Sequence, residues 1–196
     1  SGTEKYWLKG LAYYDAGARS FYTREKKIHN PNDLNGLKIR VMESKTAFDM
    51  VKILGGSPTP ISYGELYTSL QQGVVDGAEN NPPSFYLSKH YEVCKFYTLD
   101  EHTILRDVLV MSTHTWNSLN KQQKEWVNNS VKLSVIEQRK LWAKSEKESL
   151  HAVKEAGVEI IIPDKKLFVE QSKNIFESYK SNSELYNFIE RIKESK

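Results

Sequence analysis

With 196 residues, 39% of them hydrophobic and 27% charged, the chain can bury one substantial core and belongs to the globular class, not the disordered one. No run reaches the roughly 18 apolar residues of a membrane span. The net charge of +3 comes from lysines interleaved with glutamates, as in KKLFVEQSK and ERIKESK, which is the pattern of solvated helix faces; no basic stripe carries interleaved aromatics, so nucleic acid is not an expected partner. Cys94 is the only cysteine, which excludes an internal disulfide and cysteine metal clusters. The opening SGTEKYWLKG has no charged-then-apolar leader pattern, and that says little of a processed or partial chain.

Along the chain, strand and helix signals alternate, which predicts an α/β architecture with a largely parallel sheet. In DAGARSFY, Gly17 suggests a tight backbone beside Arg19. Leu37 to Met42 reads as a buried strand, and Thr46 to Leu54 as a helix stopped by Gly55 and Gly56. PTPI is a short extended segment, after which Ser62 and Glu65 have the spacing of a capping box opening a helix that Gly73 ends. GVVDGAENNPPSFY predicts a strand at Val74 and Val75, then a loop forced by Gly77 and by Pro82 and Pro83. A helix at about Ser84 to Tyr91 leads to VCKFYTL and to ILRDVLVMST, a strong strand signal. From about Asn120 to Ala156 neither Gly nor Pro occurs and apolar residues recur at helical spacing, so a helix on the order of 50 Å is expected, closed by Gly157. VEIIIP is a last strand and two polar helices finish the chain.

Catalytic machinery is hard to find. There is no phosphate-cradling glycine loop, no nucleophile elbow and no helical histidine pair, and the five histidines are scattered. No cofactor or metal is expected. What remains is polar side chains at strand-to-loop positions: Arg19, Arg40 followed by Glu43 and Ser44, Tyr63 at a helix start, and Glu79, Asn80 and Asn81 after Val75. Strand ends in a parallel sheet converge on one rim, so these segments could face one crevice. Two arginines, an asparagine pair and an aromatic ring suit a small carboxylate bearing hydroxyls, because a guanidinium fork meets a carboxylate with two parallel charge-assisted bonds. Each residue also has a plain reading. Arg40 could pair internally with Glu43 or Asp76, Arg19 could sit on the surface beside Asp15, Glu65 could be a cap, and Asn80 and Asn81 could be turn formers.

The segments GARSFYT, DLNGLKIRVMESKTAFDMVKILGGSPTPISYGELYTSLQQGVVDGAENNPPSF and KHYEVCKFYTLDEHT resemble the solute-binding proteins of TRAP transporters, the DctP family of periplasmic receptors for organic acids. The resemblance covers nearly the whole chain. It implies an α/β, periplasmic-binding-protein-like (type II) two-lobe fold, truncated in this chain, with one long helix spanning both lobes. Residues 17–105 and 146–196 would form lobe II, and residues 1–16 and 106–145 a partial lobe I, since relatives are longer and the match starts well inside them. It also implies that Arg40, in GLKIRV, makes the ion pair with the ligand carboxylate. Arg19 and Asn80 complete the grip, Tyr63 lines the ligand, and Glu43, Ser44 and Asn81 stand beside them.

The function so implied is capture: an extracytoplasmic receptor whose lobes close on a carboxylate ligand and deliver it to TRAP membrane subunits. It is not an enzyme in this reading. VMES together with GAENN resembles members binding hexuronates such as glucuronate and galacturonate more than those for sialic acid or C4-dicarboxylates. With lobe I incomplete, the chain is expected to bind weakly or not at all, and exposed apolar area would favour self-association. Two rivals stand beside this reading. One is a ligand-sensing domain of a signalling system; the other is an enzyme on organic acids with Arg40 as anchor and Glu43 or His102 as base.

Overall fold

A computed structural model of the protein describes residues 3–194. Six strands, β1 (Leu8–Thr23), β2 (Lys38–Val41), β3 (Ser57–Pro60), β4 (Gly77–Asn80), β5 (Phe96–Ser112) and β6 (Glu159–Ile161), form one sheet in the order β3-β2-β4-β1-β5-β6. The pairs β2–β3, β2–β4 and β5–β6 are parallel, whereas β1 is antiparallel to both β4 and β5. The largely parallel expectation therefore holds for five strands and fails for β1, whose length no local signal announced.

Around the sheet lie α1 (Lys45–Ile53), α2 (Leu66–Gln71), α3 (Pro82–Leu87), α4 (Thr113–Ser118), α5 (Lys121–Glu155), α6 (Lys165–Ser172) and α7 (Ser183–Glu194). Alternate residues of a strand face opposite sides, so neighbouring Phe21 and Tyr22 belong to different cores. Phe21 packs with Leu34, Ile39, Val51, Leu54 and Phe168, and Tyr22 with Leu66, Leu70, Phe85, Tyr97 and Val153. Each fully buried apolar side chain of this size contributes about 1.5–3 kcal/mol, which makes these two clusters the main stabilising term.

The long helix α5 forms as its composition predicts. Asn120 Oδ1 accepts from Gln123 N and Asn120 N donates to Gln123 Oε1, both at 2.9 Å, a reciprocal cap, and Gly157 terminates it at φ +93°. Its 35 residues span about 52 Å. It is fastened to β1 where the β1–β5 register shifts between Asp15 and Ala18. There the Gln138 side-chain amide takes up the loosened backbone, accepting from Asp15 N (2.9 Å) and donating to Asp15 O (2.7 Å). Gly17, at φ +69°, lets the helix come close: a Cβ would lie 2.4 Å from Glu146 Oε1 and 2.9 Å from Trp142 Nε1.

Two local expectations are corrected. Val74 and Val75 are not a strand. Gly73, at φ +73°, closes α2, and Val74 N then bonds Ser69 O, so the ladder begins only at Gly77. Gly77 is required there because a Cβ would meet Tyr22 O at 2.3 Å. The segment expected to be a loop is thus β4, and Pro82 and Pro83 open α3 in the first turn, where missing N–H groups cost nothing. Ser62 makes no backbone cap; its hydroxyl donates to the Glu65 carboxylate at 2.7 Å, and a 3-10 turn precedes α2.

Candidate functional site

The C-terminal ends of β2 and β4 point the same way, and β1 runs back between β4 and β5, which brings Arg40, Glu79, Asn80 and Arg19 to one rim. Arg40 pairs in register with Ala78 on β4 and Ser20 with Asn80. Arg19 therefore comes from a reversed strand, not from a parallel strand end.

Arg40 is 3% exposed. Its Nε donates to Ile61 O at 2.8 Å, and its guanidinium carbon lies 5.7 Å from the Tyr63 ring centroid, a cation–π arrangement. No described carboxylate pairs with it. Glu43 is exposed, and the Asp76 carboxylate instead accepts from Lys38 N at 2.7 Å, so the internal ion pair weighed for Arg40 is not formed. Burial lowers the Arg40 pKa, as expected for a cation held without a counter-charge. Its two terminal nitrogens have no acceptor among the described residues and are not sealed from solvent, so they stay available to a ligand.

Arg19 is the opposite case. Nε bonds Glu79 Oε2, Nη2 bonds Glu79 Oε1 (2.8 Å) and Glu79 O (2.7 Å), and Nη1 bonds Asn80 Oδ1 (2.9 Å). Only one Nη1 hydrogen is left over. The surface-arginine alternative is not realised: Asp15 pairs with Arg106, and Arg19 is 6% exposed. Burial opposes its charge, but the Glu79 contacts prevail and raise its pKa.

Behind this pair lies a feature with no announced counterpart in the sequence reading. Between the register pairs Arg19–Thr103 and Phe21–Thr98, the four residues Leu99–His102 on β5 face the single Ser20 on β1. The bulge is held by Glu101 at φ +52°, by Glu101 N to Ser20 Oγ (3.1 Å) and by Phe21 N to Asp100 Oδ1 (3.1 Å). It turns Asp100 and His102 inward. His102 stacks on Phe21 with ring centroids 4.3 Å apart; Nδ1 is 2.6 Å from Asp100 Oδ2, and Nε2 is 3.6 Å from Glu79 Oε2, an ion-pair separation. Burial works against the imidazolium, yet Asp100 and Glu79 outweigh it and push its pKa up to about 9. The same contacts, with Arg19, hold Glu79 below the usual carboxylate range in spite of its burial. Nδ1 is engaged with Asp100, whereas Nε2 is buried and too far from Glu79 for a hydrogen bond, so His102 is placed as a charged brace behind Arg19 and Glu79.

The other expected residues divide clearly. Asn80 uses Oδ1 for Arg19 and for Asn81 N (3.0 Å), leaving its Nδ2 donors without a protein partner. Asn81 braces the rim, its Oδ1 capping α3 through Ser84 N (2.9 Å) and its Nδ2 donating to Ala16 O (3.1 Å), which leaves one Nδ2 hydrogen over. Ser44 caps α1 through Ala47 N at 3.4 Å and still lines the cavity, whereas Glu43 points to no described partner. Tyr63 is 46% exposed, with its hydroxyl 2.6 Å from Ser88 Oγ. Its ring neighbour His90 shares a 2.8 Å hydrogen bond with the Tyr22 hydroxyl; burial and then Arg40 push His90 down to about 4, so it is neutral.

A cavity of about 110 Å³ opens beside Arg19 and Glu79, walled by Met42, Ser44, Ala47, Met50, Thr103 and Leu105 among others. Among the described residues no group of three His, Cys, Asp or Glu side chains is arranged to hold a metal ion. The arrangement presents one uncompensated buried guanidinium, one spare Arg19 N–H and one spare amide, all donors, which is the chemistry of anion binding.

Comparison with known proteins gives one answer. Residues 1–182 match the family described as bacterial extracellular solute-binding protein, family 7. The Salmonella typhimurium protein YiiZ is 43% identical over 188 residues, 95% of this chain and 58% of that protein. A TRAP periplasmic solute-binding protein from a Bradyrhizobium species, solved with galacturonate, superposes with a TM-score of 0.91 at 42% identity, covering 100% of this chain and 65% of that one. Another from Chromohalobacter salexigens, solved with D-glucuronate, gives 0.95 at 34% identity over 98% and 65%. The chain spans about three-fifths of the length of these relatives.

Proposed function

The chain belongs to the DctP family, the family 7 bacterial extracellular solute-binding proteins, and from that membership we propose that it is the carboxylate-gripping portion of a TRAP transporter receptor that captures a hexuronate or closely related sugar acid. The observation that supports this most directly is Arg40: buried, charged, and without an acidic partner among the described residues. A ligand carboxylate completes it with a two-pronged contact, while Asn80 Nδ2 and the spare Arg19 hydrogen reach further ligand oxygens and Tyr63 offers its ring to the sugar. Galacturonate and glucuronate in the relatives make a hexuronate the ligand of choice.

In this reading residues 17–105 and 146–196 form the lobe that carries the fixed charge. The start of β1, the end of β5 and the middle of α5 are parts of a second lobe, and ligand binding favours the closed arrangement of the two. The closed receptor, outside the cytoplasmic membrane, hands its cargo to TRAP membrane subunits. Binding and release without chemical change is the whole cycle.

Because the chain has only part of the length of its relatives, it is expected to bind with an affinity in the millimolar range, near 4 kcal/mol. Titrating isotope-labelled chain with glucuronate and following the Arg40 side-chain resonance by NMR tests this. A saturable shift of that resonance, absent with glucose, supports the assignment. Shifts confined to other surfaces, or none at tens of millimolar acid, reject it.

A further inference from the structure

The charges at the rim sum to a definite value. Arg19 and Glu79 cancel, as do His102 and Asp100, and Arg40 is left as a single surplus positive charge. We propose, building on the receptor reading, that Glu79 and Asp100 make this site selective for monoanions, admitting an acid with one carboxylate and rejecting its counterpart with two.

Geometry carries the argument. Glu79 and Asp100 have side chains 2% and 0% exposed, so their charges are screened poorly by water. Glu79 is held ionised by His102 and Arg19, and Asp100 lies 2.6 Å from His102 Nδ1. A monocarboxylate neutralises Arg40 and leaves the site at zero. A dicarboxylate of the same carbon skeleton would bring a second negative charge into a region where, among the described residues, Arg19 and His102 are already spent on protein acids. At an effective dielectric near 20, one like charge about 10 Å away is worth roughly a tenfold change in binding. Of the remaining groups, His90 is neutral and Glu101 pairs with Lys165 at the surface, while the Glu146 carboxyl of α5, against Gly17, has no cation beside it and works in the same direction as Glu79 and Asp100.

The test compares D-glucuronate with D-glucarate, which differ by one carboxylate, against the wild-type chain and Glu79→Gln by NMR titration at pH 7. Wild type is expected to bind glucuronate about tenfold more tightly than glucarate, and Glu79→Gln, which keeps the shape and adds one net positive charge, to erase most of that ratio. Equal affinities for the two acids in wild type, or a ratio unchanged by Glu79→Gln, overturns the proposal and leaves the receptor reading standing. Absence of any shift with either acid overturns both.

A second measurement needs no variant. His102, held 2.6 Å from Asp100 and 3.6 Å from Glu79, is pushed up to about 9, so raising the pH from 7 to 10 removes its charge and leaves both acids against Arg19 alone; glucuronate binding should weaken several-fold and glucarate binding more. Affinities that stay level over that range also overturn the proposal.

Discussion

The two buried arginines should respond in opposite ways to the same substitution. Arg19→Met removes the hydrogen-bonded counter-charge of Glu79, which is 1% exposed and cannot recover water, so the carboxylate is left buried with only His102, 3.6 Å away, facing it. Breaking a buried pair from one side costs about 3–5 kcal/mol. Arg40→Met strands no acid. It loses the bond to Ile61 O, worth about 1.5–3 kcal/mol for a charged donor, and the contact with the Tyr63 ring, worth about 0.5–1 kcal/mol. Against that it relieves the desolvation of an unpaired guanidinium, several kcal/mol in a site this buried. The balance is a change near zero or a stabilisation of about 1–2 kcal/mol. Urea unfolding followed by tryptophan fluorescence separates the cases. With m about 2 kcal/mol/M, Arg19→Met lowers the midpoint by roughly 2 M and Arg40→Met leaves or raises it. If both variants lose stability to a similar extent, Arg40 has an internal partner and the case for an external one fails.

Arg40→Lys should weaken glucuronate binding by roughly tenfold or more, since an ammonium cannot reproduce the planar two-pronged contact; NMR titration of a folded variant with unchanged affinity contradicts this. The two shifted histidines set the pH range of stability. His102, raised to about 9, contributes stability that is complete below its unfolded value near 6.5 and is lost as the pH rises through 9. His90, lowered to about 4, contributes stability present above 6.5 and lost as the pH falls toward 4. Unfolding free energy should therefore peak near pH 6.5, with His102→Asn flattening the alkaline limb; an alkaline limb unchanged by that substitution refutes the assignment. Gly77→Ala should cost more than about 3 kcal/mol in urea midpoints, because the new methyl meets the backbone oxygen of Tyr22 at 2.3 Å and neither strand can yield.

α1, α5 and β2 were legible in the sequence because their signals are local: glycines that stop a helix after Leu54, a gap in Gly and Pro from Asn120 to Ala156, a short apolar run ending in Arg40; α4 left no such signal, and the cap expected at Ser62 did not form. β4 was misplaced by two or three residues because Val74 and Val75 have strand propensity, whereas the ladder is set by Gly77, whose role depends on a strand 55 residues earlier. The site was half legible. Arg40 and Asn80 could be singled out by residue type and strand-end position and Arg19 by residue type beside Gly17, but nothing local tells an arginine matched by a protein acid from one left unmatched. The bulge carrying Asp100 and His102 left one trace, three polar residues, Asp100-Glu101-His102, interrupting an apolar strand; such an interruption is a reason to expect a bulge. Asn81 has the residue type of a ligand donor, and only the position of α3 shows that its amide is largely occupied.

The attachment of α5 to the bend in β1 has a mechanical consequence. Ser134, one turn before Gln138, also bonds the Tyr14 hydroxyl (2.8 Å), so the arm beyond these clamps runs about 13 residues to Lys121, about 20 Å. A tilt of only about 10° there would sweep the far tip through roughly 3–4 Å, with the α-helix acting as a lever. Small changes in backbone geometry near Arg19 are thereby magnified at a distance, and Gly17, by admitting Trp142 and Glu146 so closely, serves as the fulcrum.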